Sequence, residues 1–217
     1  ISGLVAPTNT GSIGICARAF IRTNIVTNDL RIEDNAISGY TFRGIYLGLD
    51  PTTDIEARSV SISNNTVLGT QNNLGDPTDG IAIEVLMECG GTCDAQGFRV
   101  DGNRIGEDEG GNAPFRGILF TAPSNTTSAS PIEDVSISEN QIRVDDGYGI
   151  EAHFSQVSDS PYTLYNVKVD RNQIRVLIGG HGIALDATCN FRVMSVSGNN
   201  VQGVGLSGTG THGIRLY

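Results

Sequence analysis

The chain has 217 residues, 28 of them Gly and none Trp, and its 14 Lys and Arg face 24 Asp and Glu for a formal charge of −10. No run approaches the ~18 consecutive apolar residues of a membrane-spanning helix, and no basic-then-apolar leader opens the chain, so no membrane insertion is expected. So acidic a surface repels a phosphate backbone, which excludes nucleic acid as an expected partner.

Glycine is about 13% of the chain, against roughly 7% in ordinary domains. That excess means either a loose chain or a repeat, and the period decides. The first predicted element is a strand opening on Gly14-Ile15 (GICARA). An alternating strand then leads into Asn35 (LRIEDNAI, Leu30 to Ile37). Gly44 opens GIYLGL, and VSISNNTV runs through Asn65. Gly80 opens GIAIEV, and FRVDGNRI runs through Asn103. Gly117 opens GILFTA, and VSISENQI runs through Asn140. Gly149 opens GIEAHF, and VKVDRNQI runs through Asn172. Gly182 opens GIALDA, MSVSGNNV runs through Asn199, and Gly213 opens GIRLY.

The asparagines are 30, 38, 37, 32 and 27 residues apart. Apolar residues recur every second position, the period of a strand rather than of a helix. Two strand kinds alternating along the chain mean stacked coils. Outward positions of the strand before each Asn read Arg31, Ser61, Arg99, Ser136, Lys168 and Ser195. Each Asn is expected at a corner, in the left-handed region, with its side-chain amide bonded to the next coil in a ladder. The glycines of the Gly-Ile strands are expected where the backbone turns.

The N-x-Ile and Gly-Ile-x-Leu coils, from Ile13 to Tyr217, resemble the right-handed parallel β-helix of the pectin-lyase-like superfamily. The fold this implies is all-β: a single-stranded parallel β-helix of about six coils. The chain opens on ISGL at Ile1, like the residues that follow Asn35 (AISGY), and no capping helix is visible. Residues 1–217 are therefore expected to form one domain, an internal fragment of a larger protein. The superfamily contains polysaccharide lyases and hydrolases, phage tailspikes and adhesins, so fold alone does not choose a function. The resemblance implies that the outer face of the Gly-Ile strands forms a polysaccharide cleft.

Counting from each Gly, the second residue points outward: Cys16, Tyr46, Ala82, Leu119, Glu151, Ala184 and Arg215. So does the fourth: Arg18, Gly48, Glu84, Thr121, His153, Asp186 and Tyr217. Stacking at ~4.8 Å per coil brings Glu151, His153 and Asp186 together, with Glu84 two coils away. Glu151 and Asp186 then stand roughly 8 Å apart, compatible with paired carboxylates cleaving a glycosidic bond. His153 or Glu151 serves equally as a base toward a uronic sugar, and the carboxylates suit Ca²⁺ as the one cofactor in view. These four are the catalytic candidates.

The residues before the glycines read Arg43, Asp79, Arg116, Tyr148, His181 and His212. With Tyr46, the first five are candidates for contacting sugars, the arginines meeting acidic groups and the tyrosines offering rings. Thr78-Asp79-Gly80-Ile81 and Gly180-His181-Gly182 resemble two polygalacturonase signatures. The Asp-Asp pair that family carries between them is absent from the strands at Gly117 and Gly149. Cys89 and Cys93 bracket a Gly-Gly loop and are expected to form a local disulfide, which points to an oxidising setting. Cys16 and Cys189 are about 24 Å apart by coil spacing, too far to pair.

Two functions remain in view. One is an extracellular β-helix that binds and cleaves polysaccharide. The other is a non-catalytic receptor-binding or structural β-helix of a tailspike, tail fibre or adhesin on a virion or cell surface, as a homotrimer.

Overall fold

Period-two alternation makes each repeat a succession of short strands, and β-branched interiors favour pairing over helix. The computed structural model describes residues 13–19, 25–40, 42–49, 55–69, 80–87, 93–107, 113–122, 132–154, 163–187, 190–203 and 212–217. In chain order the strands are β1 (Ile13–Ala19), β2 (Ile25–Asn28), β3 (Arg31–Glu33), β4 (Ala36–Tyr40), β5 (Arg43–Leu49), β6 (Ile55–Ser63) and β7 (Thr66–Gly69). Next come β8 (Ile81–Met87), β9 (Cys93–Asp101), β10 (Arg104–Glu107), β11 (Arg116–Thr121), β12 (Ile132–Ser138) and β13 (Gln141–Phe154). The last are β14 (Thr163–Asp170), β15 (Gln173–Ala187), β16 (Asn190–Phe191), β17 (Met194–Ser197), β18 (Asn200–Gly203) and β19 (His212–Leu216). No helix occurs among the described residues, so none is long and apolar enough to cross a membrane.

Every pairing is parallel, and the strands stack in three columns. Column one holds the Gly-Ile strands: β1, β5, β8, β11, the second halves of β13 and β15, and β19. Column two holds the strands before the asparagines, from β2 and β3 through β6, β9, β12 and β14 to β16 and β17. Column three holds β4, β7, β10, the first halves of β13 and β15, and β18. Because β13 and β15 run through a corner without a break, columns one and three share one hydrogen-bonded sheet of 11 strands. Column two is a separate sheet of eight. The architecture is that expected of a parallel β-helix: all-β, with regular strand stacking.

All three columns fill one interior. Ile45, Ile83, Ile118, Ile150 and Ile183 come from column one, Val60, Phe98, Val135 and Val167 from column two, and Ile37, Val67, Ile105, Ile142 and Ile174 from column three. Burying each such side chain stabilises the fold by about 1.5–3 kcal/mol. Phe98 and Phe120 meet edge to face with ring centroids 6.0 Å apart, and Phe120 and Phe154 lie tilted to one another at 5.7 Å.

The asparagine ladder forms as expected. Each Nδ2 donates to the Oδ1 of the next Asn at 2.9–3.0 Å, from Asn35 through Asn65, Asn103, Asn140 and Asn172 to Asn199. Its other hydrogen goes to a backbone carbonyl: Ile62 for Asn103, Val100 for Asn140 and Ile137 for Asn172. The backbone differs from expectation. The left-handed residue is the one before each Asn: Asp34, Asn64, Gly102, Glu139, Arg171 and Gly198. The Asn itself is extended enough to put its amide inside the corner, and its neighbour makes the turn. A second left-handed row, Asp29, Ser59, Gly97, Asp134 and Asn166, lies six residues before each Asn except Asn199 and bends column two.

The glycines of the Gly-Ile strands do not serve as turns. Gly44, Gly117, Gly149 and Gly182 are outside the left-handed region. They are required by space. A Cβ at Gly182 would fall on Val201 Cγ1 and on the carbonyl oxygen of Gly213, and one at Gly149 on Ile174 Cγ2 and the carbonyl of Gly182. The Gly and the Ile after it both face inward, so the strand bends there. The residue before the Gly then emerges on the same side as the residue two after it. Gly213 has nothing within 4 Å of its Cβ direction. We therefore expect Gly182→Ala to destabilise the protein by about 1–3 kcal/mol in urea unfolding, and Gly213→Ala to change it by less than ~0.5 kcal/mol.

One coil is offset. Ile83, not Ile81, aligns with Ile45 and Ile118, and Ala82 takes the glycine's place. Gly80 lies two residues earlier, in a turn with φ of 81°. A slip of two residues leaves the in–out pattern unchanged, so alternation alone does not reveal it. Glu84 therefore moves out of the row of His153 and into the row of Tyr46 and Glu151. The place expected for Asp79 is held by Ile81, and Asp79 itself lies outside the described residues. So do Cys89, Cys189 and the Cys93 side chain, which puts the expected Cys89–Cys93 disulfide there too.

Candidate functional site

Three rows run along the outer face of column one. The row before the glycine reads Arg43, Ile81, Arg116, Tyr148, His181 and His212. The next reads Tyr46, Glu84, Leu119, Glu151, Ala184 and Arg215, and the third Gly48, Leu86, Thr121, His153 and Asp186. The bend at each glycine brings the first two rows together.

Two copies of one arrangement follow. Arg43 Nε donates to Glu84 Oε2 on the next coil, and Arg116 Nε donates to Glu151 Oε2. Glu84 is 5% exposed and Glu151 6%. Each guanidinium also lies over two rings. Arg43 Cζ is 3.8 Å from the centroid of Phe42 and 4.7 Å from that of Tyr46. Arg116 Cζ is 5.1 Å from Phe115 and 5.6 Å from Tyr148. A cation over an aromatic face is held by the ring's quadrupole. The arginines expected to meet acidic sugars are thus turned to buried glutamates. Phe42 and Phe115 were not among the expected site residues. The signal for them is the tetrapeptide Phe-Arg-Gly-Ile, which occurs at 42–45 and again at 115–118.

Only the second copy carries a histidine. His153 Nε2 lies 3.0 Å from Glu151 Oε1, and its Nδ1 lies 3.7 Å from Asp186 Oδ2. The His153 side chain is 38% exposed and that of Asp186 46%, so this end of the network meets solvent. Leu119 separates Glu84 from Glu151 in their row, so the expected group of three carboxylates around His153 is a group of two.

Burial pushes the Glu151 carboxyl up. The hydrogen bond from His153 and the charge and hydrogen bond of Arg116 outweigh it and hold the group below the usual carboxylate value. The hydrogen bond to Glu151 raises His153 above the usual imidazole value; burial opposes this, and the charges of Glu151 and Asp186 add to it. The signs set a window. The Glu151 contribution to stability is present above the ordinary carboxylate pKa and is lost as pH falls through the lowered one. The His153 contribution is present below the ordinary imidazole pKa and is lost as pH rises through the raised one. Both charges coexist between the two shifted values.

Beside this network runs a ladder of rings. Phe115 and Tyr148 meet edge to face at 6.4 Å, Tyr148 and His181 lie 5.0 Å apart, and His181 stacks on His212 at 5.2 Å. Burial, then the charges of Arg215 and His212, lower the His181 pKa and keep it neutral. Its Nδ1 is buried with no hydrogen-bond partner among the described residues. All three histidines of the chain, His153, His181 and His212, therefore lie on this face.

The structure brings together Glu151, His153, Asp186, Arg116, Tyr148 and His181. It sets Arg43, Tyr46 and Glu84 in a second group toward the N-terminal coils. Among the described residues, no three His, Cys, Asp or Glu side chains are grouped to hold a metal ion. No protein-family model, curated protein or solved structure matches the chain.

Proposed function

We propose that the outer face of column one binds a polysaccharide and cleaves it by proton transfer through His153, as a hydrolase or lyase. The scaffold is a right-handed β-helix of about six coils, of the pectin-lyase-like kind. Parallel crossovers are right-handed in about 98% of cases, which supports that hand. The observation that carries the reading is the Glu151–His153–Asp186 chain set beside the Tyr148–His181–His212 rings. It pairs a half-exposed acid–base group with a stacking surface that runs along the axis.

In neutral His153 the Nε2 proton is donated to Glu151, which leaves Nδ1 as an acceptor toward solvent and Asp186. In a lyase, Nδ1 takes a proton from the carbon beside a uronate carboxylate as the glycosidic oxygen departs and a double bond forms; in a hydrolase, it takes one from an attacking water. Either step produces an imidazolium braced by both carboxylates that can return the proton to the departing oxygen. Glu151 is ionised at neutral pH, so it orients His153 rather than delivering a proton. Tyr148, half-buried in the ring ladder, offers its ring to the sugar, and His181 packs behind it at 5.0 Å. A secreted or surface-exposed setting follows from such a substrate.

A second reading is favoured by the other Arg–Glu pair. Arg43–Glu84 repeats Arg116–Glu151 without a histidine, which fits a scaffold role for both. The protein would then be a non-catalytic receptor-binding or structural β-helix of a tailspike or adhesin, working as a homotrimer. Incubation with a panel of neutral and uronic polysaccharides, followed by reducing ends and ultraviolet absorbance of unsaturated sugars, separates the two. Wild type should release product, and His153→Asn should lower the rate at least about a hundredfold with unfolding unchanged. No product from wild type, together with a trimer in light scattering, would favour the second reading.

A further inference from the structure

Column three carries a cleft of about 400 Å³ on a face of its own. Its floor is two rows of side chains. Arg104, Gln141, Gln173 and Asn200 are register partners in one, and Arg143, Arg175 and Gln202 in the other. Successive coils stand ~4.8 Å apart. The cleft is therefore a straight track of guanidinium and amide groups along the axis.

Its charge is out of keeping with the rest of the chain. Three arginines converge on it in a protein of net charge −10. Glu107 is its one acidic lining residue and pairs with Arg143. The nearby acids Glu139 and Asp170 are taken by Arg171 at the adjoining corner. Arg104 and Arg175 make no ion pair among the described residues. Arg143 and Arg175 are direct register partners, and like charges placed opposite one another in a sheet are destabilising. The buried Nε of Arg143 has no hydrogen-bond partner among the described residues. A track that stacks cations at such a cost is complementary to an anionic ligand.

We propose that this cleft binds a linear acidic glycan. Its carboxylate or sulfate groups meet the forks of Arg104, Arg143 and Arg175, and its hydroxyls meet the amides of Gln141, Gln173 and Gln202. Guanidinium binds carboxylate and sulfate in a two-pronged fashion that ammonium cannot copy. The lining contains no aromatic residue, so nothing stacks on bases as single-stranded nucleic acid requires. This site stands apart from column one and does not rest on the activity proposed there.

The test is calorimetric titration of the whole chain with a galacturonate hexamer, the same hexamer methyl-esterified, a heparin hexasaccharide and a deoxythymidine decamer. One or both acidic glycans should bind at least about tenfold more tightly than the ester, with affinity falling as salt rises. The Arg104→Ala/Arg175→Ala variant changes two exposed side chains and should keep its unfolding midpoint while losing at least about tenfold in affinity. The Lys/Lys version should recover only part. His153→Asn should bind like wild type, which separates this cleft from the column-one site. Equal binding of the ester, tighter binding of the decamer, no binding of either acidic glycan, or an unchanged affinity in the double Ala variant would each overturn the proposal.

Discussion

Replacing Asn140 by Ala is expected to lower the unfolding free energy by roughly 3–9 kcal/mol, at about 1–3 kcal/mol for each of the three buried polar groups left unpaired. Asn140 is fully buried in the middle of the ladder. Its Oδ1 accepts from both the backbone N–H and Nδ2 of Asn103, and its Nδ2 donates to Val100 O and Asn172 Oδ1. Truncation strands two donors and one carbonyl where water cannot reach. The loss is a large part of the ~5–15 kcal/mol that holds an ordinary domain together. Asn35, at the ladder's half-exposed end, donates to Asn65 and Glu33 and has water nearby. Asn35→Ala should therefore cost only about 0.5–1.5 kcal/mol. Urea unfolding of the two variants checks the gradient; equal losses would mean the ladder is not a cooperative internal structure.

Arg116→Ala should cost about 3–5 kcal/mol, because it leaves the Glu151 carboxylate buried without its arginine partner. Replacing both residues at once, as Arg116→Met with Glu151→Leu, should restore most of that loss, since an apolar pair of similar size avoids desolvating two charges. The same pair of experiments at Arg43 and Glu84 should give similar stabilities. Of these variants, only the one that removes Glu151 should lower the pKa of His153, because the hydrogen bond and charge of Glu151 raise it and Leu119 stands between His153's carboxylate and Glu84. The double variant would thus be folded but deprived of the group that orients His153. It distinguishes a glutamate kept for stability from one kept for the histidine.

Most of the fold is legible in the sequence because the repeat is carried by residues with one physical job each. The Asn at each corner and the alternation around Ile62, Val100 and Ile137 leave little choice of architecture. The rows of the candidate site are legible for the same reason: Tyr148 beside His181, and His153 beside Asp186, follow from strand stacking alone. Two things escape. The slip of two residues at Gly80 preserves alternation, so Glu84 is assigned to the wrong row and Ile81 holds the place expected for Asp79. The role of the Gly-Ile glycines is also hidden, because a residue needed for close approach to Val201 or Ile174 looks the same in sequence as one needed for a turn. The bend that results is what turns Arg43 and Arg116 onto Glu84 and Glu151, a contact no period-two pattern contains.

The three histidines give the most direct test of a glycan-binding face, because all of them lie on it. In ¹H–¹³C spectra of the free protein, the His153 ring should titrate above the ordinary imidazole value and His181 below it. Glu151→Gln should bring His153 down. An oligosaccharide of the polysaccharide that wild type cleaves is then added to the Arg104→Ala/Arg175→Ala variant, so that the column-three cleft is silent. The ring signals of His153, His181 and His212 should all shift and saturate together. Three unmoved histidine signals at saturation, with backbone signals of another column shifting instead, would contradict the assignment of column one as the glycan-binding face.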